Sequence, residues 1–305
     1  MTTSNIVLDL LEAFRRSKTM FAAAKLGIFD GQRPEGYKEL DRLLDACVAL
    51  GLLEKQGDAY VNTPVAEKYL RSDSPDAVTG YVIFSNDALW SMWGHLEDAI
   101  REGTPRWKQT FGIDNIFSGF FKTEEGRRNF LKGMNGFGRI SSPHVVAAFD
   151  LSRFHRLVDL GGASGHLAEA VRNRYPQLQT AVFDLPSVAA EYPGTIPGDF
   201  FNDPLPPADL YSLGRILHDW SDEQCSRLLA RIYAALPEGG GLLIAEKLLE
   251  PGYVAAHMQS LNMLVAAEGR ERSAAQFEAL LRAAGFSKVQ SKITGSIVDA
   301  TLAVK

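Results

Sequence analysis

The sequence predicts an α/β fold in its second half, a mostly parallel sheet covered by helices, behind a mainly helical N-terminal domain. Three observations carry that reading. After Asp150 short apolar runs alternate with amphipathic stretches: LVDL, TAVFDL, ADLYSL and GLLIAEKLL, with helical segments between them. The first of these runs enters a glycine-rich turn, GGASG, that opens a helix. Before Asp150 the apolar residues recur mostly at three-to-four spacing, the period of a helix with one buried face.

In chain order, Ile6 to Ile28 reads as an amphipathic helix pair through Leu10, Leu11, Phe14, Phe21 and Leu26. Leu40 to Leu53 reads as a further helix ending near Gly51, and Gly57-Asp58 then turns two short strands back on each other. A helix followed by a hairpin resembles a winged helix. Tyr81 to Phe149 reads as helices carrying many aromatic and Met side chains, among them Trp90, Met92, Trp93, Trp107, Phe111, Phe117, Phe130, Met134 and Phe137. Each alone is best read as core packing or a subunit interface, whereas together they are suited to walling an apolar pocket. The last residues give two β-rich runs around Thr294-Gly295, an antiparallel pair closing the same sheet. The expected division is residues 1–100 for the helical domain and 101–305 for the α/β domain with its helical wall segment.

Composition removes several function classes. The 32 basic and 37 acidic residues leave a net charge of -5, with no basic tail. The outward helix of a winged-helix reading would carry Asp41, Arg42 and Asp45, so phosphate contacts lack their cations and nucleic acid is not an expected partner. Cys47 and Cys225 stand far apart with no Cys/His ligand spacing, which indicates neither a disulfide framework nor a zinc site. Asp9 and Glu12 interrupt the first apolar stretch, against a membrane span or a secretory leader. A cytoplasmic protein is expected.

The glycine turn points to a nucleoside. Gly161, Gly162 and Gly165 let a ligand approach backbone N–H groups, but their spacing is not the G-x-G-x-x-G of dinucleotide folds. Asp184 ends the next strand, where a carboxylate accepts hydrogen bonds from a ribose diol. Asp199 in GDFF is placed to meet an adenine amino group, with an aromatic neighbour for the ring; taken alone it would be an ordinary loop acid.

LGRILHDWSD then places His218 at the end of an apolar strand. An imidazole with an unperturbed pKa of about 6.5 suits a general base near neutral pH. A carboxylate on its other nitrogen would hold the tautomer, and Glu246, ending LLIAE, and Glu271, in EGRERS, are the candidates. Alone, Glu271 would read as an acid at a helix N-terminus. The other histidines, including His166 just past the glycine turn, read as surface or packing residues. No acidic or histidine cluster in the sequence resembles a magnesium or zinc site, so a metal-free reaction is expected.

VDLGGASG, VFDLPSV, PGDFF, LGRILHDWSDE, LIAEKLLE and SLNMLVAAEGRERS resemble, in order, the motifs of the S-adenosylmethionine-dependent small-molecule O-methyltransferases, in the branch that holds the plant caffeate-type and acetylserotonin enzymes. The match covers roughly the last half of the chain. It implies a Rossmann-like class I methyltransferase domain, a winged-helix-like dimerisation domain ahead of it and a homodimer through the N-terminal helices. It implies S-adenosylmethionine, leaving as S-adenosylhomocysteine, on Gly161, Gly162, Ser164, Gly165, Asp184, Leu185, Asp199, Phe200, Gly214, Arg215 and Trp220. It implies catalysis by His218 flanked by Glu246 and Glu271, and a small aromatic hydroxyl acceptor near Phe130, Met134, Asp219, Asn262 and Met263. The chain departs from the family in having Ala163 where Gly is common, Gly214 where the plant branch has Lys, and short segments after Phe29 and between Asp184 and Asp199. The alternative is a homologue that binds the cofactor without transferring methyl groups, in a regulatory or interaction role.

Overall fold

The computed structural model describes residues 5–116 and 123–305, so Phe117 lies outside the described residues. The described residues of Met1–Ser91 and Gly119–Gly136 form one compact unit, and those of Met92–Ser118 and Phe137–Lys305 form a second.

Helix α1 (Ile6–Lys25) starts at Asn5, whose side chain accepts the Val7 N–H. The spacing predicted two helices over this stretch. The chain makes one, because nothing breaks it before Gly27, which takes a left-handed φ of 68° and leads into a 3-10 turn at Ile28–Asp30. Helix α2 (Leu40–Ala49) is followed by β1 (Leu53–Gln56) and β2 (Ala59–Asn62), which pair antiparallel across Gly57-Asp58 as expected. Thr63 caps α3 (Pro64–Tyr69) through the Ala66 N–H, and α4 (Thr79–Phe84) runs through a π-helical segment, Ser85–Leu89, into α5 (Trp90–Trp93). Ala23, Ile28, Phe29, Leu44, Cys47, Leu53 and Leu70 form the core of this unit. The first half of α1 contributes nothing to it: Ile6, Leu10, Leu11 and Phe14 are all exposed.

Helices α6 (Leu96–Glu102) and α7 (Trp107–Phe111) come next, then the long α8 (Glu124–Ala148), whose residues from Phe137 onward belong to the second unit. There the expected alternation appears: β3 (Arg156–Leu160), α9 (His166–Arg174), β4 (Gln179–Asp184), α10 (Pro186–Ala189), β5 (Ile196–Pro197), β6 (Leu210–Gly214), α11 (Asp222–Ala235), β7 (Gly241–Glu246), α12 (Val254–Ala266), α13 (Ala274–Ala283), β8 (Lys288–Lys292) and β9 (Asp299–Val304). The sheet order is β5-β4-β3-β6-β7-β9-β8. Strands β3 to β7 pair in parallel, while β9 runs antiparallel to both β7 and β8.

Both faces of this sheet are covered. Val158, Leu160, Tyr211 and Leu213 pack on Leu228, Leu229 and Ile232 of α11 and on Phe277 and Leu281 of α13. Leu157, Leu210 and Leu243 pack on Val145 and Val146 of α8 and on Leu167 and Val171 of α9. Each fully buried Leu or Val contributes roughly 1.5–3 kcal/mol, which explains why β7 is apolar along its length until Glu246. Strand order reverses between β3 and β6, and a ligand crevice in such sheets lies outside the carboxyl ends of the strands at that switch point. No described helix is long and apolar enough to cross a membrane.

Candidate active site

The glycine turn leaves the end of β3. Gly161 has φ 69°, and a β-carbon there would press on the side chains of Ile216 and Phe200. The ring of Phe200 therefore lies against this turn. Ala163 also sits in the left-handed region, at φ 47°, the position where the family resemblance led us to expect glycine. Its N–H donates to Asp184 Oδ2 at 2.8 Å, and the Leu185 N–H donates to Oδ1 at 2.7 Å. Asp184 is thus fixed at the tip of β4 with a spare lone pair on each oxygen, and burial pushes its carboxyl above the ordinary range against the pull of those two bonds. Ser164 and Gly165 complete the turn, Gly165 as the residue before α9.

Asp199 closes its own loop. Its carboxylate accepts the Phe201 N–H at 2.8 Å and the Asn202 side-chain amide at 2.7 Å, the bonds of a loop acid closing its own turn. Beside it the aromatic rings of Phe200, Phe201 and Trp220 form a row, each pair edge-on with centroids 4.9 Å apart.

Asp159 is a residue that motif reading passed over. It is buried in β3, Ser212 Oγ donates to its Oδ1 at 2.7 Å, and its Oδ2 has no hydrogen-bond partner among the described residues. Burial lifts its carboxyl to about 7. The signal was available: an acid inside an apolar strand is costly unless something uses it. A left-handed glycine turn, the Asp184 carboxylate and this unpartnered acid oxygen together fit a nucleoside that also carries an ammonium group.

His218 follows β6. Gly214 ends the strand, and Arg215 takes a left-handed φ of 56° while its N–H donates to Ala245 O at 3.0 Å. That reversal starts the 3-10 turn Leu217–Asp219. Glu246 Oε1 accepts the N–H groups of Ile216 and Leu217, both at 2.9 Å, and its Oε2 stands 3.2 Å from His218 Nδ1. Nδ1 donates instead to Glu271 Oε1 at 2.8 Å. All three side chains are buried, and the second oxygens of both glutamates lack hydrogen-bond partners among the described residues. Asp219 Oδ1 lies 3.6 Å from Nε2, the ring nitrogen that no buried carboxylate claims.

Burial alone would discharge the ring, but Glu246, Asp219 and Glu271 outweigh it and raise His218 to about 10. Burial beside Glu271 raises Glu246 as well, although the imidazolium opposes this. Glu271 does not serve as a helix N-terminal acid, because Ser273 and Gln276 form a capping box that closes α13 without it. His218, Glu246 and Glu271 also lie close enough for one small cation to bridge them.

The remaining predicted residues divide between the units. Asn262 and Met263 are buried on α12, and Trp93 Nε1 donates to Asn262 Oδ1 at 2.9 Å, which turns the amide nitrogen the other way. Arg215 lies over the ring of Phe137 at 5.5 Å and donates to Ser141. Phe130 and Met134 belong to the first unit, where Phe130 packs edge-on against Phe84. His166 is a packing residue, its Nδ1 2.8 Å from Ser142 Oγ, and burial together with Arg215 depresses it to about 3.

Comparison with known proteins gives a consistent result. A family model described as an O-methyltransferase domain matches residues 93–287, and one described as an O-methyltransferase dimerisation domain matches residues 32–72. Bovine acetylserotonin O-methyltransferase is 38% identical, with 99% of this chain and 97% of that protein covered. A human protein described as a probable bifunctional dTTP/UTP pyrophosphatase/methyltransferase is 39% identical over 98% of this chain, which spans only 53% of that longer protein. The crystal structure of human N-acetylserotonin methyltransferase in complex with S-adenosylmethionine superposes with a TM-score of 0.92 at 37% identity, covering 100% of this chain and 99% of that one.

Proposed function

The chain belongs to the S-adenosylmethionine-dependent O-methyltransferases, and on that premise we propose that His218 is the general base that takes the proton from a hydroxyl of a small aromatic acceptor. The observation that carries this reading is the placement of Nδ1 against Glu271 and Glu246, which commits one ring nitrogen and leaves Nε2 for the acceptor. S-adenosylmethionine, when bound, supplies the methyl group as a sulfonium and leaves as S-adenosylhomocysteine.

The chain's own residues have two tasks, alignment and proton transfer. For the first, the turn at Gly161, Gly162, Ser164 and Gly165, with Asp184 and Leu185, would hold the donor's ribose side. The unpartnered oxygen of Asp159 would take its amino group. Phe200 and Trp220 offer aromatic surface, while Asp199, which closes its own loop, keeps a lone pair on each oxygen for the adenine amino group. Gly214 and Arg215 carry the strand end into the turn. For the second task, the acceptor O–H bond breaks as its oxygen takes the methyl group, and the proton goes to His218 Nε2. Glu246 and Glu271 stabilise the imidazolium that results. Because these acids outweigh burial and raise the ring's basicity, turnover is expected to rise with pH.

On the acceptor side we assign Asp219, Asn262 and Met263, with Phe130 and Met134 as wall residues on resemblance alone. Trp93 holds Asn262 so that its NH2 faces away, a donor suited to an acceptor's carbonyl or hydroxyl oxygen. An N-acyl hydroxytryptamine has both an oxygen of this kind and a hydroxyl. The reaction is read as metal-free, with the His218 cluster holding a proton. The exposed apolar residues of α1, beside a matched dimerisation domain, support a homodimer through the N-terminal helices.

The test is transfer of labelled methyl from S-adenosylmethionine to a panel of phenols, hydroxyquinones and N-acyl tryptamines, beginning with N-acetylserotonin. A methylated hydroxyl product is expected. Tight binding of S-adenosylhomocysteine with no product across the panel would instead support a cofactor-binding homologue without transferase activity.

A further inference from the structure

Five consecutive residues, Glu268 to Arg272, each meet the stretch from Leu217 to Asp222 that carries His218. Glu268 Oε1 accepts the Ser221 N–H at 3.3 Å. A β-carbon on Gly269 would overlap the carbonyl of His218 and the amide of Trp220, so the backbone there lies flat against the turn. Arg270 pairs with Asp222, and Glu271 holds Nδ1. Arg272 is the most committed of the five. Its guanidinium is fully buried, donates to Leu217 O at 2.8 Å and Trp220 O at 3.1 Å, and pairs with Asp222 Oδ1 at 2.7 Å. Its own carbonyl accepts the Leu249 N–H just beyond β7, which fastens the segment to the strand that ends in Glu246.

We infer that Arg272 is the positioning residue of the catalytic turn: it grips the backbone immediately before and two residues after His218 while its chain neighbour Glu271 orients the ring. Consecutive Cα atoms are about 3.8 Å apart, so the carboxylate that aims the imidazole and the cation that holds its backbone move as one piece. Only a planar fork of several N–H donors serves two carbonyls and a carboxylate at once; a lysine keeps the charge but reaches fewer of them. The guanidinium touches neither donor nor acceptor in this role and acts through His218. The inference rests on the reading of His218 as the base.

The test uses the full chain with Arg272→Lys and, independently, Gly269→Ala, which leaves the buried cation in place and presses on the turn from its other side. Two readouts are needed. With N-acetylserotonin, or the acceptor the panel identifies, kcat should fall by roughly tenfold to a hundredfold, the cost of about 1 Å of misplacement, while S-adenosylhomocysteine binding falls far less than kcat. In 15N-histidine spectra, which require no acceptor, the His218 ring signals, assigned with His218→Asn, should shift in both variants and titrate at lower pH than in the parent. Unchanged His218 signals in a folded variant would overturn the inference, as would loss of S-adenosylhomocysteine binding in proportion to kcat. Full turnover by His218→Asn would instead refute the base assignment, and the spectra would still decide whether Arg272 positions the turn.

Discussion

Glu246 acts on His218 in two ways: Oε1 accepts both N–H groups that open the histidine's turn, and Oε2 stands 3.2 Å from its Nδ1. One carboxylate therefore fixes the backbone and charges the ring. Glu246→Gln separates the two roles, because the amide oxygen can still accept the two N–H bonds while the charge is gone. The rise of turnover with pH should move toward the ordinary histidine range, and alkaline activity should fall less than in Glu246→Ala. A pH–rate profile of the three proteins checks this.

Stability should fall as pH rises through the alkaline range. The fold raises His218 from 6.5 to about 10, so its contribution is complete below about pH 6.5 and is lost as pH climbs toward 10. Glu246 and Asp159, raised to about 7, lose theirs in the same direction but at lower pH. Urea midpoints measured between neutral pH and about pH 10 should decline for the parent and flatten for His218→Asn.

Ala163→Gly should stabilise the protein. A left-handed non-glycine residue costs about 1–2 kcal/mol, part of which glycine returns through greater freedom in the unfolded chain. A net gain of about 0.5–1 kcal/mol is expected by chemical denaturation, with the hydrogen bond from residue 163 to Asp184 retained.

Dialysis against a chelator should leave turnover unchanged, because the Nδ1–H bond to Glu271 uses the atoms that a cation would need. Activity lost to the chelator and restored by a divalent cation would reassign the His218, Glu246 and Glu271 cluster to a metal.

What the sequence revealed followed from periodicity and turn chemistry. Strands β3, β4, β6 and β7 were legible because their apolar runs contrast with amphipathic helices, β8 and β9 as β-rich runs around Thr294-Gly295, and the hairpin at Gly57-Asp58 because its turn residues demand it. The two-residue strand Ile196–Pro197 was too short to show a pattern, and α1 concealed its unity because a helical repeat does not mark where a helix must break. At the site, His218, Glu246 and Glu271 were found by motif. Asp159, Trp93 and Arg272 were not, since their roles depend on Ser212, Asn262 and the Leu217–Trp220 backbone, all distant in sequence. Asp199 was identified, but its carboxylate is engaged within its own loop.

The central claim is that His218 carries the proton. His218→Ala leaves the glycine turn and Asp184 untouched, so the decisive measurement is its single-turnover methyl transfer beside its affinity for S-adenosylhomocysteine. The account predicts unchanged affinity with a rate lower by about a hundredfold to ten-thousandfold. Transfer at the parent rate with the same affinity would contradict it.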